Sequence, residues 1–408
     1  MSLTPPLSPL STPRLVLCAD GGGSKVCVVI RSSDGLEVRG IAGPCNVQSV
    51  GHGPAIQTIL LAIYLRSIPT PFSSRPGSPK LGAMPFLNIP LFQYVWLGLA
   101  GINSPSDIEA FTPTVLKGLN IIEERVKITN GKQVQDIANV DVNLLAAPAL
   151  QLQGIKHVAA VVCGTGTVGR TIEVDTSCPT EGAVRQLPLT DVGVSRGWGW
   201  LLCDEGSAFW IGRLAIRSLL FHFDRCTRSS IYASPPEPLS PFHRDLLAYF
   251  GVTDPMELIG IVSLIGPSAE DMSIGEGTAK RNAYMAGAAR TVLRWAFPVD
   301  ASPPSPPASE RSDEMDSSDA SQMEAMKLVR KAIQPMVEMT IDLLGDGSVV
   351  RPETTVLALG GGLWQSKGYR GLFQEGLKKE GVEFAKVLLV DDAAGVGAQG
   401  LASVEFGA

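Results

Sequence analysis

The chain has 408 residues, of which 45% are hydrophobic and 18% charged, with a formal net charge of -6. That length exceeds one ordinary core, so two globular domains of roughly 150–200 residues are expected. The acidic balance leaves no basic footprint for nucleic acid. No apolar run approaches the roughly 18–20 residues that cross a bilayer. The N-terminal MSLTPPLSPLSTPR lacks the basic and apolar regions of a secretory signal, so the expected compartment is the cytoplasm. The seven cysteines are scattered without a C-x-x-C pair and read as buried thiols, and no histidine stands in a metal-ligand spacing.

Residues 1–14 form a Pro/Ser-rich tail. The run LVLCADGGGSKVCVVIR (15–31) then gives a strand, a glycine turn and a second strand, with a third near 36–42. A helix is expected at 54–67, where Ile56, Ile59, Leu60, Ile63 and Tyr64 share one face. Residues 68–90, dense in proline, read as an irregular insertion. A buried strand follows at 94–101 and a helix at 105–122. The run VAAVVCGTGTVGRTIEV (158–174) repeats the opening unit, and RGWGWLLCDEGSAFWIG (196–212) leads into a long amphipathic helix. More helices are expected between 240 and 300. Residues 301–322 carry no apolar periodicity and read as a disordered insertion. A helix near 323–345 precedes the strand TTVLALG and its glycine turn (360–362), and VLLV (387–390) precedes a closing helix.

The repeated unit implies internal duplication of one α/β fold, with the ligand cleft between the halves. Asp20-Gly21-Gly22-Gly23-Ser24-Lys25 brings glycines together where backbone N–H groups can nest an anion. Asp20, at a strand end, suits Mg²⁺. A plain hairpin turn is the alternative, although it needs fewer glycines. Gly164, Thr165 and Gly166 repeat the device, whereas Gly361 and Gly362 suit an adenine lying against backbone or a tight strand–helix connection. Taken alone, Trp198 and Trp200 read as core residues, and Glu205 has no assigned role.

DGGGSK, GTGT, RGWGWLLCDEGSAFWIG and LALGGGLWQS, in this order, resemble the sugar-kinase/heat-shock-70/actin ATPase superfamily. More narrowly, they are similar to eukaryotic N-acetylglucosamine kinase in the BadF/BadG/BcrA/BcrD ATPase group, across about 15–405. The resemblance implies two duplicated ribonuclease H-like domains around a central cleft. The N-terminal one spans 15–146, the C-terminal one 147–392, and a final helix at 393–406 packs back on the first. It implies transfer of phosphate from ATP to the 6-hydroxyl of N-acetyl-D-glucosamine, with Mg²⁺. Carried over residue by residue, Gly22, Gly23, Ser24, Lys25, Gly164, Thr165, Gly166, Gly260, Gly361, Gly362 and Ser366 face ATP, and Asp20 the metal. Asn46, Gly197, Trp198, Gly199 and Asp204 face the sugar, and Asp141 is the base. GKQVQDIANV separates KITN from Asp141, which keeps Asp136 as a rival. Glucosamine or N-acetylmannosamine as acceptor, a dehydratase activator and a non-catalytic sugar sensor are the alternative functions. Scattered cysteines argue against the activator, which needs a cluster ligand set. A homodimer is left open.

Overall fold

The computed structural model describes residues 12–22, 25–65, 84–102, 104–131, 142–175, 187–227, 238–263, 274–298 and 313–407. Asp136 and Asp141, with Gly23 and Ser24, lie outside them.

Two five-stranded mixed sheets share one topology. The first contains β1 (Leu15–Gly21), β2 (Val26–Ser32), β3 (Glu37–Ala42), β4 (Phe92–Ala100) and β5 (Val126–Gly131), ordered β3-β2-β1-β4-β5. The second contains β6 (His157–Cys163), β7 (Thr167–Val174), β8 (Leu189–Arg196), β9 (Thr355–Gly360) and β10 (Lys386–Val390), ordered β10-β9-β6-β7-β8. In each, three strands form an antiparallel meander and the remaining two add in parallel to the meander's first strand. The sheets therefore match strand for strand, β1 with β6 through β5 with β10. The duplication expected from the glycine units is present, and the fold is α/β.

The first sheet carries α1 (Val47–Val50), α2 (His52–Tyr64) and α3 (Pro105–Leu119) on its outer face, where Ile56, Ile59, Phe111 and Val115 are fully buried. Ser104 and Asp107 close α3 with a reciprocal capping box. The second sheet carries α4 (Ala208–Thr227), α5 (Pro241–Phe250), α6 (Glu257–Ser263), α7 (Ile274–Gly287), α8 (Ala289–Ala296), α9 (Asp313–Asp342) and α10 (Lys367–Lys379).

Between the sheets lie a 3₁₀ helix, Val142–Gln151, and α11 (Ala393–Phe406). The 3₁₀ helix packs on β6, β7 and β9, while α11 packs on β1, β2 and β4, and the two press against each other. Their shared core joins Val16, Cys18 and Trp96 of one sheet to Val158, Ala160 and Val356 of the other. The joint is close because α11 presents glycines. A Cβ at Gly397 would stand 2.4 Å from Cys18 Sγ, and one at Gly400 3.1 Å from the Ala147 Cβ. Gly397→Val is therefore expected to wedge α11 off β1 and cost about 1–3 kcal/mol. A lowered unfolding temperature checks it.

Three expectations change. The 313–322 part of the expected disordered stretch is helical, because α9 begins at Asp313. Met84–Pro90 of the expected insertion form no regular element, yet Leu87 is buried and its N–H donates to Gly118 O. The strand β8 has no counterpart among the expected elements: only Leu189 at its start is buried, Thr190 to Val194 are exposed, and Ser195 and Arg196 are half-buried. Among the described residues, no helix is long and apolar enough to cross a membrane.

Candidate active site

The two glycine turns follow the carboxyl ends of β1 and β6, each strand with a parallel neighbour, and strand ends of this kind are the usual ligand position in such sheets. The turn after β6 is the better defined of the two. Gly164 N–H donates to Gly166 O at 2.9 Å. The first helical amides of α4 close onto the same turn, Ala208 N to Gly164 O at 2.8 Å and Phe209 N to Thr165 O at 3.3 Å. Ser207 Oγ accepts from Trp210 N at 3.1 Å and caps this helix start. Turn and helix thus form one rigid unit with the positive end of α4 behind Thr165.

The first glycine turn is a closed hairpin: Gly22 N donates to Lys25 O, and Cys45 N to Gly22 O, each at 2.8 Å. The Gly22 amide is consequently spent within the protein. Lys25 is exposed. Asp20 pairs across β1 and β2 with Cys27, whose thiol is pushed up by burial and by the charges of Asp392 and Asp20.

Residues 196–206 turn repeatedly through left-handed backbone. Arg196 (φ 64°), Gly197 (77°), Gly199 (83°), Asp204 (68°) and Gly206 (86°) all lie there. Two of these, Arg196 and Asp204, carry side chains, which costs of order 1–3 kcal/mol each. The loop is held at both ends. Arg196 reaches Glu205 at 3.7 Å and Glu338 of α9 at 3.6 Å. Gly206 O accepts from Tyr369 Oη at 2.6 Å.

Asp204 is 1% exposed. Its Oδ1 accepts from Thr167 N at 3.0 Å, directly after the GTG turn, whereas its equally buried Oδ2 has no hydrogen-bond partner among the described residues. Burial raises its pKa to about 6, with the Thr167 N–H opposing and the Glu205 charge adding. An orphaned buried carboxylate oxygen is costly unless a ligand donor completes it. The two tryptophans separate. Trp200 packs edge-on against Phe209 and under the Arg281 guanidinium, as core. Trp198 is 64% exposed, with Leu201 and Leu202 beside it. The core reading fails for Trp198 because its flanking glycines swing it outward.

Asn46 is buried against the end of β4. Its Oδ1 accepts from Ser49 N at 3.1 Å, and a Cβ on Gly101 would lie 2.3 Å from it. Gly361 (φ 102°) crosses the end of β6 so closely that a Cβ would sit 2.5 Å from Cys163 O. Gly362–Gln365 then form a 3₁₀ turn, and Ser366 Oγ caps α10 by accepting from Tyr369 N at 3.3 Å. Trp364 is fully buried with Nε1 donating to Val161 O, so it is core. Gly260 lies within α6 and its Cα faces open space, which shows no steric need for glycine.

Sequence reasoning missed a polar link between the sheets. Lys127 Nζ donates to Leu189 O at 2.5 Å, and Asn143 Nδ2 to Asp191 Oδ2 at 3.2 Å. Arg170 Nη1 also meets Asp191 Oδ2, at 2.5 Å. Lys127, Asn143, Leu189 and Asp191, with Pro105 and Ile108, line a cavity of about 280 Å³. A lone arginine in the apolar run VAAVVCGTGTVGRTIEV was the available signal.

Among the described residues, no group of three His, Cys, Asp or Glu side chains is placed to hold a metal.

No protein-family model matches the sequence, and no curated protein sequence does. Solved structures do. A candidate N-acetylglucosamine kinase from Chromobacterium violaceum is 18% identical with a TM-score of 0.54, covering 95% of this chain and 99% of its own. Another, from Porphyromonas gingivalis, is 14% identical with a TM-score of 0.55, covering 96% of this chain and all of its own. At such identity the likeness establishes the architecture alone, and the chain shares the duplicated two-sheet α/β fold of these structures.

Proposed function

We propose that the chain is an ATP-dependent sugar kinase that phosphorylates N-acetyl-D-glucosamine on its 6-hydroxyl. The carrying observation is Asp204: a desolvated carboxylate whose Oδ1 is fixed by Thr167 N and whose Oδ2 lacks a donor. A sugar hydroxyl is the donor that fits, since a cation would find no second acid there except Glu205, already turned to Arg196. Trp198 offers an exposed flat face to the apolar side of a pyranose, and the Asn46 amide nitrogen can donate while its Oδ1 serves the cap.

The phosphate side rests on the GTG turn. Gly164 N–H is used internally, which leaves Thr165 and Gly166 N–H and Thr165 Oγ1 for a phosphate, with the start of α4 behind them. Gly361 and Gly362 would let an adenine approach bare backbone, and Gly23, Ser24 and Lys25 would close the opposite side. Asp20 would hold Mg²⁺, which neutralises charge on the transferring phosphoryl group. Asp141 would take the proton of the 6-hydroxyl. The substrate names of the two structural neighbours agree with this reading.

The test is ATP turnover with Mg²⁺ across N-acetylglucosamine, glucosamine, N-acetylmannosamine and glucose. The expected result is a kcat/KM for N-acetylglucosamine at least tenfold above the others. Turnover with none of them defeats the kinase reading and favours a sugar-binding protein. A preference for another sugar corrects only the acceptor.

A further inference from the structure

In the second domain, α4 and α9 lie side by side with a groove of about 520 Å³ between them. Its walls carry four cations, Arg217 and Arg225 from α4 and Lys327 and Lys331 from α9. All four are exposed, and none is in an ion pair with a described carboxylate. This concentration stands out on a chain of net charge -6.

The single carboxylate in the lining is already committed. Glu324 Oε1 accepts from Ser218 Oγ at 2.5 Å and meets His243 Nε2 at 3.0 Å, and the His243 ring meets that of His222 at a tilt of 49° with centroids 4.9 Å apart. Glu324 therefore ties the two helices together at the groove floor, and its single charge faces four cations on the walls. Between them the surface is apolar, from Leu214, Leu328, Phe221 and Met323, with Phe221 and Met323 open to solvent.

Cations around an apolar floor, in a volume suited to a small organic molecule, define an amphiphilic anion site. We propose that this groove binds a phosphomonoester carried on a flat or ring-shaped body, the phosphate held by Lys327, Lys331 and Arg225 and the ring laid on Phe221 and Leu328. The proposal is independent of what the cleft does. The same two helices nevertheless run to it: α4 begins on the GTG turn, and α9 packs Ala332 and Met336 against Gly206.

Calorimetric titration of the full chain with phenyl phosphate, adenosine monophosphate, glucose 6-phosphate and inorganic phosphate tests this at fixed ionic strength. Phenyl phosphate reads the apolar floor, and the nucleotide and sugar phosphate distinguish the two natural sources. The expected result is saturable binding of at least one organic phosphate, more than tenfold weaker in Lys327→Gln/Lys331→Gln and in Arg225→Gln. Both variants change exposed side chains, and unchanged unfolding temperatures would show intact folds. Equal binding by wild type and variants, or no saturable binding at millimolar concentrations, overturns the proposal. So does inorganic phosphate binding as tightly as every organic phosphate, because the apolar floor would then contribute nothing.

Discussion

An Asp204→Asn variant is expected to unfold at a higher temperature than wild type at pH 7.5 while losing about 10–150-fold in kcat/KM for the sugar. The two effects have one cause. A hydrogen bond to a charged group contributes about 1.5–3 kcal/mol, and that range sets the loss of activity. The same charge is expensive in the empty site, because it is desolvated and one oxygen is unpartnered. A native pKa raised from 3.8 to about 6 withholds about 3 kcal/mol of stability at neutral pH. Asn keeps an acceptor for Thr167 N and removes the charge.

The pH dependence fixes the sign. Above pH 6 both native and unfolded Asp204 are ionised, and the native state bears the full cost. As pH falls through about 6, the native carboxyl takes up its proton before the unfolded one does, so the wild-type deficit shrinks and closes toward pH 3.8. Thermal unfolding of both proteins from pH 8 to pH 4 measures this. If Asn lowers stability at every pH, Asp204 is a structural anchor of the loop and the sugar role loses its main support.

What the sequence made legible was local. Each glycine unit declares itself through a buried apolar run, a turn that tolerates unusual backbone and a second run, all within 17 residues. Two such units implied the duplicated sheets, and they are there. The site was legible only as a set of residue types. That Trp198 projects while Trp200 packs follows from left-handed turns at Gly197 and Gly199, and neighbours in sequence cannot distinguish them. That Trp364 is core depends on Val161 O, 203 residues away. The Lys127, Asn143, Arg170 and Asp191 link joins four segments whose proximity exists only after the sheets assemble. The orphaned Asp204 Oδ2 is likewise a property of packing, since a sequence reports a carboxylate but not its missing partner.

The largest kinetic effect is expected at Asp141, with Asp136 as its control. Asp141 immediately precedes the buried 3₁₀ helix Val142–Gln151, so it has two candidate duties, proton acceptor and helix N-cap. Substitution by Asn separates them, because Asn caps about as well as Asp yet cannot take the 6-hydroxyl proton. Asp141→Asn is expected to reduce kcat by about 10²–10⁴ with little change in unfolding temperature. Asp141→Ala should show the same kinetic loss plus about 1 kcal/mol of destabilisation from the missing cap. The KM values for sugar and ATP should move only a few-fold in both, since a base acts in the transition state more than in binding. Asp136→Asn should keep near-normal kcat. The reverse pattern, with Asp136→Asn inactive and Asp141→Asn active, transfers the base to Asp136 and makes Asp141 a cap alone. Near-normal turnover in both variants would mean that neither carboxylate accepts the proton, and the proposed mechanism would fail at its central step.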